Sequence, residues 1–553
     1  MPEHAVIETP VLIVGGGPVG LMLAIELAWR NVPCVLVNDG ETTSKHPQGS
    51  TTNSRTMEHY RRLGLAGQIR ATGLPPSDST DVLYMTRYNG RELARLEMPS
   101  ATEKLRRMAA RDPDLPTPEI IHRGNQLYIE PILKQHAEEL DGATLMFGWR
   151  MESFEQGSND VTAQIIHQAT GETRTVRAAF LAGCDGAQGV TRRSLDIRYE
   201  GEGGEEGAFM KGRMLSSYVR APAFYDILSA PRAWQFWAVN DDSRSNAVAL
   251  DGKGEFIVMT KLAPGVEPED IDVPALFHAA CGANVPIEVI SRKPWIAGHA
   301  LVAQRMRAGR VFLAGDAAHL FTPTGGFGMN TGIDDAANLG WKLAALHHGW
   351  GGPGLIGSFD LERRPVALRN TGVSHEFAGN VATVDIPPRL EEDGPDGAVA
   401  RAKLGRHLDS FGEEFASLGV QLGARYDGSP IMVPDGSAPP KYSPFDYVPS
   451  ACPGGRAPHL WRDDGCALFD HFGKGFTLLR VGGGKVNGEP IIAAAKSRGV
   501  PLDVVDAPEP EAVKLYERGL VLVRPDHHIA WRGDAPPDDA DALIAHVTGF
   551  ITD

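Results

Sequence analysis

The chain has 553 residues, of which 42% are hydrophobic and 22% charged, with five cysteines and a formal net charge of −16. That length asks for two or three domains, and the composition is that of a globular protein, neither disordered nor fibrous. The negative excess repels nucleic acid and anionic membranes, so neither is expected as a partner, although a local basic pocket could still hold an anionic substrate.

Cys34, Cys184, Cys281, Cys452 and Cys466 are odd in number, scattered and without a C-x-x-C, so neither a disulfide framework nor a metal centre is expected. Met1-Pro2-Glu3-His4 lacks the basic start and apolar core of a leader, and the expectation is a cytoplasmic enzyme. In chain order, Ala5–Val14 reads as a strand, Gly20–Arg30 as a helix and Pro33–Val37 as a second strand. Leu21, Ala24, Ile25 and Ala28 place one apolar face on that helix. Val11 to Trp29 is apolar enough to raise the question of a membrane span, but Gly15, Gly16, Gly17, Pro18 and Glu26 suit a strand–turn–helix.

The turn is a G-x-G-x-x-G, Gly15-Gly16-Gly17-Pro18-Val19-Gly20. Gly15 permits the tight bend, Gly17 lets a pyrophosphate approach the backbone, and Gly20 allows close helix–strand packing. An acidic residue that bonds a ribose is expected where the second strand ends; Asn38 stands there, followed by Asp39, and either could serve. Short alternating runs at Asp81–Leu96 and Tyr199–Ile296, such as Ser216–Arg220 and Glu255–Lys261, predict a sheet interleaved with the nucleotide unit.

Phe180–Gly183 leads into Cys184-Asp185-Gly186, a strand ending in Asp-Gly before a helix bearing Arg192 and Arg193. Further on, the strand Arg310–Ala314 delivers Gly315-Asp316, where a carboxylate can accept sugar hydroxyls. The loop Pro323-Thr324-Gly325-Gly326-Phe327-Gly328-Met329-Asn330 then enters a helix whose first N–H groups would face a flat ring and stabilise negative charge on it. His319 reads as a structural residue of this turn. Residues 385–443, rich in Gly, Pro and charge, read as a linker with helical pieces, Arg401–Leu418 being the best candidate. A last α/β block carries predicted strands at Phe476–Val481 and Leu520–Arg524.

In order and spacing, these three motifs resemble those of the FAD-dependent aromatic hydroxylases of the para-hydroxybenzoate hydroxylase group. The resemblance covers roughly residues 8–375. It implies an α/β architecture with a discontinuous Rossmann-like FAD-binding domain (1–80, 97–198 and 297–384) and a mixed or antiparallel substrate sheet (81–96 and 199–296). By the same resemblance Asp316 bonds the ribitol of FAD, Pro323 to Asn330 line the isoalloxazine and the oxygen site, and Asp185-Gly186 serve FAD and the reductant. Asn53-Ser54-Arg55-Thr56-Met57-Glu58 looks like the family's Arg-Thr-x-Glu helix start, which brings Arg55 near the cofactor, and Gln126 falls where the family sets a glutamine against FAD. Asn38 departs from the usual acid. Pro453–Pro458, Leu468–Asp470, Gly473–Leu479 and Val523–Asp526 resemble the thioredoxin-like tail of phenol hydroxylases, giving a fourth unit at 444–553 after the 385–443 segment. Without C-x-x-C that tail implies packing or subunit contact, not thiol chemistry.

The resemblance implies NADPH or NADH as a transient reductant and O2 as co-substrate. Dioxygen would add at C4a of the reduced flavin, and the distal oxygen of that hydroperoxyflavin would pass to a ring carbon ortho or para to a phenol. A homodimer and a small phenolic substrate follow from the family alone. A base should help ionise the phenol. Tyr218, Tyr225, His299 and His46 are candidates, Pro323 lies at the reacting edge, and Trp234, Phe236, Trp237 and Trp295 are candidate ring-lining residues. A halogenase is disfavoured because W-x-W-x-I-P is absent; a flavin reductase, dehydrogenase or epoxidase, or a non-catalytic flavoprotein, are the alternatives on the same fold.

Overall fold

In the computed structural model, which describes residues 6–551 apart from 113, 204–211, 241, 243 and 383, the strand Ile7–Val14 lies inside a parallel sheet. Its run Val11–Val14 is buried, as a strand covered on both faces requires. Cys34–Asn38 and Thr173–Gly183 flank it, with Ala143–Phe147 and Val311–Leu313 outside them. Trp149–Gln156 and Val161–His167 form an antiparallel extension of Thr173–Gly183. Met1–His4, expected to carry no leader, lie outside the described residues. Val11 to Trp29 forms a strand, a turn and a helix, and among the described residues no helix is long and apolar enough to cross a membrane.

The helix Pro18–Trp29 departs from the one-faced expectation, since every residue from Val19 to Ala28 is buried. It is wedged between the sheet and the helices Gln126–Glu139 and Phe327–His347, which leaves no face for water. Even Glu26 is buried, and it is neutralised by Arg30 and Arg62.

A second sheet has seven strands, in the order Glu288–Ala297, Gly212–Arg220, Glu255–Lys261, Arg244–Ala249, Gln235–Val239, Val82–Met85 and Glu92–Leu96. It is antiparallel except where Gln235–Val239 runs parallel to Val82–Met85. The twofold alternation of a strand gives it two distinct faces. Leu215, Val219, Phe236, Ala247 and Val258 turn to one side and pack with Phe224 and the helix Val273–Cys281. Tyr84, Trp237, Asn246, Met259, Ser216 and Lys293 form a row on the other, with Gln235, Val248, Ile257 and Tyr218 beside it. Tyr199–Glu202 does not join this sheet; it pairs with Ala300–Ala303, which pairs in turn with His319–Leu320.

In the stretch 385–443 the helix is Pro395–Asp409, earlier than the expected Arg401–Leu418. Proline suits a first helical position, and Ser410 ends the helix by turning its hydroxyl back to the His407 carbonyl. Leu390, Leu404, Leu408 and Phe411 are buried in the core of the seven-stranded sheet. The C-terminal unit has four strands. Phe476–Val481 is parallel to Leu502–Ala507 and antiparallel to Leu520–Val523, and Ile529–Gly533 pairs beyond. All five cysteines are free.

Candidate active site

Val14 is level with Gly183, and Gly183 with Leu313, on three adjacent parallel strands. The Gly15–Gly20 turn, Asp185-Gly186 and Gly315-Asp316 therefore emerge side by side at the carboxyl edge of one sheet, where open α/β sheets hold their ligands. Gly15 has φ +109°, and a Cβ there would stand 2.2 Å from the Cys184 carbonyl oxygen. A Cβ on Gly20 would meet the Gly15 oxygen at 1.9 Å, whereas at Gly17 no atom lies within 4 Å of the Cβ position. The first two glycines are demanded by packing, and the third opens onto space before the helix that begins with Pro18 and Val19. Val19 in turn packs on Gly315, drawing two of the motifs together.

Asn38 accepts from the Gly16 N–H at 2.8 Å and donates to the Gly40 carbonyl at 3.1 Å, so its side chain braces the turn, while Asp39 is exposed. Asp185 accepts from the Thr191 N–H at 2.8 Å, and its Oδ1 is buried without a hydrogen bond from any described residue. Burial raises the carboxyls of both Asp185 and Asp316 above their ordinary value. Asp316 nonetheless has an exposed side chain, the combination expected of a carboxyl deep in an open cleft. An open glycine cradle, an orphaned carboxylate oxygen and a deep accessible carboxylate together fit a ligand with phosphates and sugar hydroxyls.

Pro323 is exposed at the mouth of the second loop. Gly325 and Gly326 follow in left-handed conformations (φ +78° and +66°), and the helix from Phe327 starts with no side-chain cap on its N–H groups, leaving those of Gly328 and Met329 among its uncapped donors. Asn330 fastens that end. It accepts from Asn53 N–H at 2.9 Å and donates to the carbonyls of Thr51 (2.9 Å) and Gly326 (2.6 Å). His319 is fully buried with Nε2 2.7 Å from Asp335, a structural placement.

Several other candidates are engaged by their neighbours. Arg55 donates to Glu58, Asp334 and the Asp526 carbonyl, inside an ion-pair network that reaches the C-terminal unit. Gln126 pairs with Glu130 and lies against Gly49. The Tyr218 hydroxyl donates to Glu255 at 2.6 Å, and burial together with that bond pushes its pKa up, so it resists ionisation. His46 has both ring nitrogens engaged, with Ser291 at 2.7 Å and Ser216 at 3.0 Å. His299 is half-buried at the turn after Glu288–Ala297, and burial lowers its pKa. Tyr225 packs on Phe224 and Phe256, and Phe236 lies in the core on the far face of the sheet.

Sequence reasoning missed Arg123, Glu414 and Lys293. Glu414 accepts from the Gly325 N–H at 2.9 Å, and burial pushes its carboxyl up to about 7 against the opposing pull of that N–H and Arg123. Arg123 lies 4.0 Å over the Trp234 ring. Lys293, in the row facing the loop, acts electrostatically on Asp316, Glu130 and His46. Arg123 neighbours a motif already singled out. Glu414 had no local signal, because it comes from the stretch that reads as a linker.

Residues 8–374 match the FAD binding domain family, and residues 450–550 match the C-terminal region of aromatic-ring hydroxylases. The chain is 33% identical to an FAD-dependent monooxygenase of Emericella nidulans, over 100% of this chain and 92% of that one. It is 31% identical to the 2,4-dichlorophenol 6-monooxygenase of Delftia acidovorans, over 96% of each. Among solved structures it is similar to the rebeccamycin biosynthetic enzyme RebC with reduced flavin, with a TM-score of 0.88 and 37% identity over 99% of this chain and 100% of that one. It is also similar to the flavin-dependent monooxygenase PieE, with a TM-score of 0.85 and 29% identity over 98% and 99% of the two chains.

Proposed function

Because the chain belongs to the FAD-dependent aromatic-ring hydroxylases, we propose that it places a hydroxyl group on a phenolic ring, using dioxygen and electrons from NADPH or NADH. The observation that carries the reading is the meeting of three cofactor motifs at one sheet edge, opposite an aromatic sheet face. The relative named for 2,4-dichlorophenol supports a phenolic substrate.

When bound, FAD supplies the electron store that activates dioxygen. The chain does the rest. The N–H groups after Gly17 would hold the pyrophosphate, Asp316 the ribitol and Asp185-Gly186 the adjoining polar groups. Asp39 is the better candidate for the ribose, since Asn38 is committed to the turn. The uncapped helix start at Gly328 and Met329 would stabilise negative charge on the flavin ring. Tyr84 and Trp237, stacked at 5.8 Å, and Trp234 form apolar walls for a flat substrate and keep water from the reacting edge near Pro323.

The FAD-binding and C-terminal spans keep the bounds inferred from sequence, whereas Tyr199–Glu202 goes with Ala300–Ala303 and the 385–443 stretch packs on the substrate sheet. The four-stranded C-terminal sheet, with its parallel pair followed by an antiparallel hairpin, supports a thioredoxin-like tail, and a homodimer remains the family expectation.

The test is made on FAD-loaded protein. Oxidation of NADPH and of NADH and oxygen uptake are followed with phenol, catechol, 1-naphthol and 2,4-dichlorophenol, and products are weighed by mass spectrometry. Stimulated oxidation with a product heavier by one oxygen atom is expected. Protein that never takes up FAD, or that makes only peroxide whichever phenol is added, refutes the reading.

A further inference from the structure

Glu414 lies between the two family-matched stretches, which end at residue 374 and resume at 450. It is carried by the short helical turn Ser410–Ala416, whose own Phe411 is anchored in the core of the substrate sheet. One carboxylate oxygen is held by the Gly325 N–H at 2.9 Å, on the loop that carries the proposed oxygen site. The other accepts no hydrogen bond from any described residue and is not sealed from solvent. Around it stand aromatic walls: Phe415 meets Trp234 edge-on at 6.3 Å, Arg123 covers Trp234, and the Tyr84 ring stacks on Trp237. The titratable groups that face it are Arg123 and Tyr84, whose hydroxyl is pushed up by burial and by the Glu414 charge.

Resting on the hydroxylase reading above, we propose that Glu414 is the base that takes the phenolic proton of the substrate, with one oxygen clamped to the flavin-side loop and the other presented to the chamber. In this step the phenol O–H bond breaks and a Glu414 O–H bond forms. The electron pair stays on the phenolate oxygen and enriches the ring carbons ortho and para to it. After oxygen transfer the carbon that gained oxygen gives up its own hydrogen as a proton, which restores the aromatic ring and the phenolate. Glu414 then returns its proton to that oxygen and ends as it began. A carboxyl that titrates near neutrality, as burial arranges here, is matched to this exchange at working pH.

The experiment compares FAD-loaded wild type and Glu414→Gln with two substrates, phenol and 2,3,5,6-tetrafluorophenol, the second already ionised at neutral pH. Hydroxylation of phenol by the variant should fall by about 10²–10⁴-fold and lose the acid limb of its kcat/KM profile near pH 7. The fluorinated phenol, which has no proton to give, should keep its wild-type rate. Equal loss with both substrates marks a structural role and overturns the proposal, as does no loss with either. Should Glu414→Gln fail to hold FAD, Glu414→Asp replaces it. That variant should keep the acid limb at a reduced kcat, and a profile without the limb overturns the proposal. Wild type that holds FAD but hydroxylates neither these two phenols nor catechol, 1-naphthol or 2,4-dichlorophenol refutes the hydroxylase reading itself and this role with it. Where only another of these is turned over, the comparison is made with it, and turnover unaffected by the variant refutes only the role.

Discussion

Replacing Glu58 by Gln tests how the C-terminal unit is held to the nucleotide domain. Glu58, on the helix Ser54–Arg62, and Arg456, of the C-terminal unit, are both about 1% exposed in their side chains. Arg456 Nε donates to Glu58 at 3.0 Å, Arg55 adds a bond at 3.1 Å and Thr117 another at 2.6 Å. Burial opposes ionisation of Glu58, but Arg456, Arg55 and these bonds outweigh it and lower its carboxyl from 4.5 to about 2. At about 1.4 kcal/mol per pH unit, that shift is linked to about 3 kcal/mol of stability. Because the folded value is depressed, the contribution is fully present above pH 4.5 and is lost as pH falls toward 2. Glu58→Gln also leaves the Arg456 charge buried without its partner, so the expected cost at neutral pH is roughly 3–5 kcal/mol. Urea unfolding of the FAD-loaded protein, followed by tryptophan fluorescence at pH 7 and pH 4, measures it. The variant should unfold at lower urea at pH 7 and lose less stability than wild type on acidification. Adding Arg456→Met should recover part of the loss, since no charge is then stranded. Coincident midpoints at pH 7, or identical acid losses, would refute the reasoning.

Gly17→Val fills open space, so it should preserve the circular dichroism spectrum and block FAD uptake, whereas Gly15→Ala drives a Cβ into the Cys184 carbonyl and should lower both FAD content and stability. Asp316→Asn should weaken FAD binding by roughly ten- to a hundredfold, the worth of a charged hydrogen bond, as read by flavin fluorescence titration. Tyr218→Phe should leave turnover near the wild-type rate and cost about 1 kcal/mol in unfolding experiments, because its hydroxyl already serves Glu255. A large kcat loss in that variant would return Tyr218 to the chemistry.

The cofactor motifs were legible because their demands are local. A tight turn after a buried strand needs glycine at Gly15 and Gly20, and a carboxylate after a strand end marks Asp185 and Asp316, whatever the rest of the chain does. Alternating runs likewise announced the strand Glu255–Lys261 and, through Ser216–Arg220, the strand Gly212–Arg220. The roles of Asn38, Arg55 and His46 were not legible, because each depends on what packs beside it. Asn38 turns back to brace Gly16, Arg55 reaches the Asp526 carbonyl 471 residues away, and His46 bridges two serines of the other sheet. Pro18–Trp29 read as one-faced because periodicity shows where apolar residues recur, not how many neighbours surround a helix.

By itself, then, the sequence determined the cofactor class and the strand-edge motifs, whose chemistry is carried by residues adjacent along the chain. Tertiary structure alone decided which polar side chains meet. It set Glu414 against Gly325 across 89 residues and Glu58 against Arg456 across 398. Burial and pairing at such separations depend on how whole domains pack, and that packing leaves no periodic trace in the residues it joins.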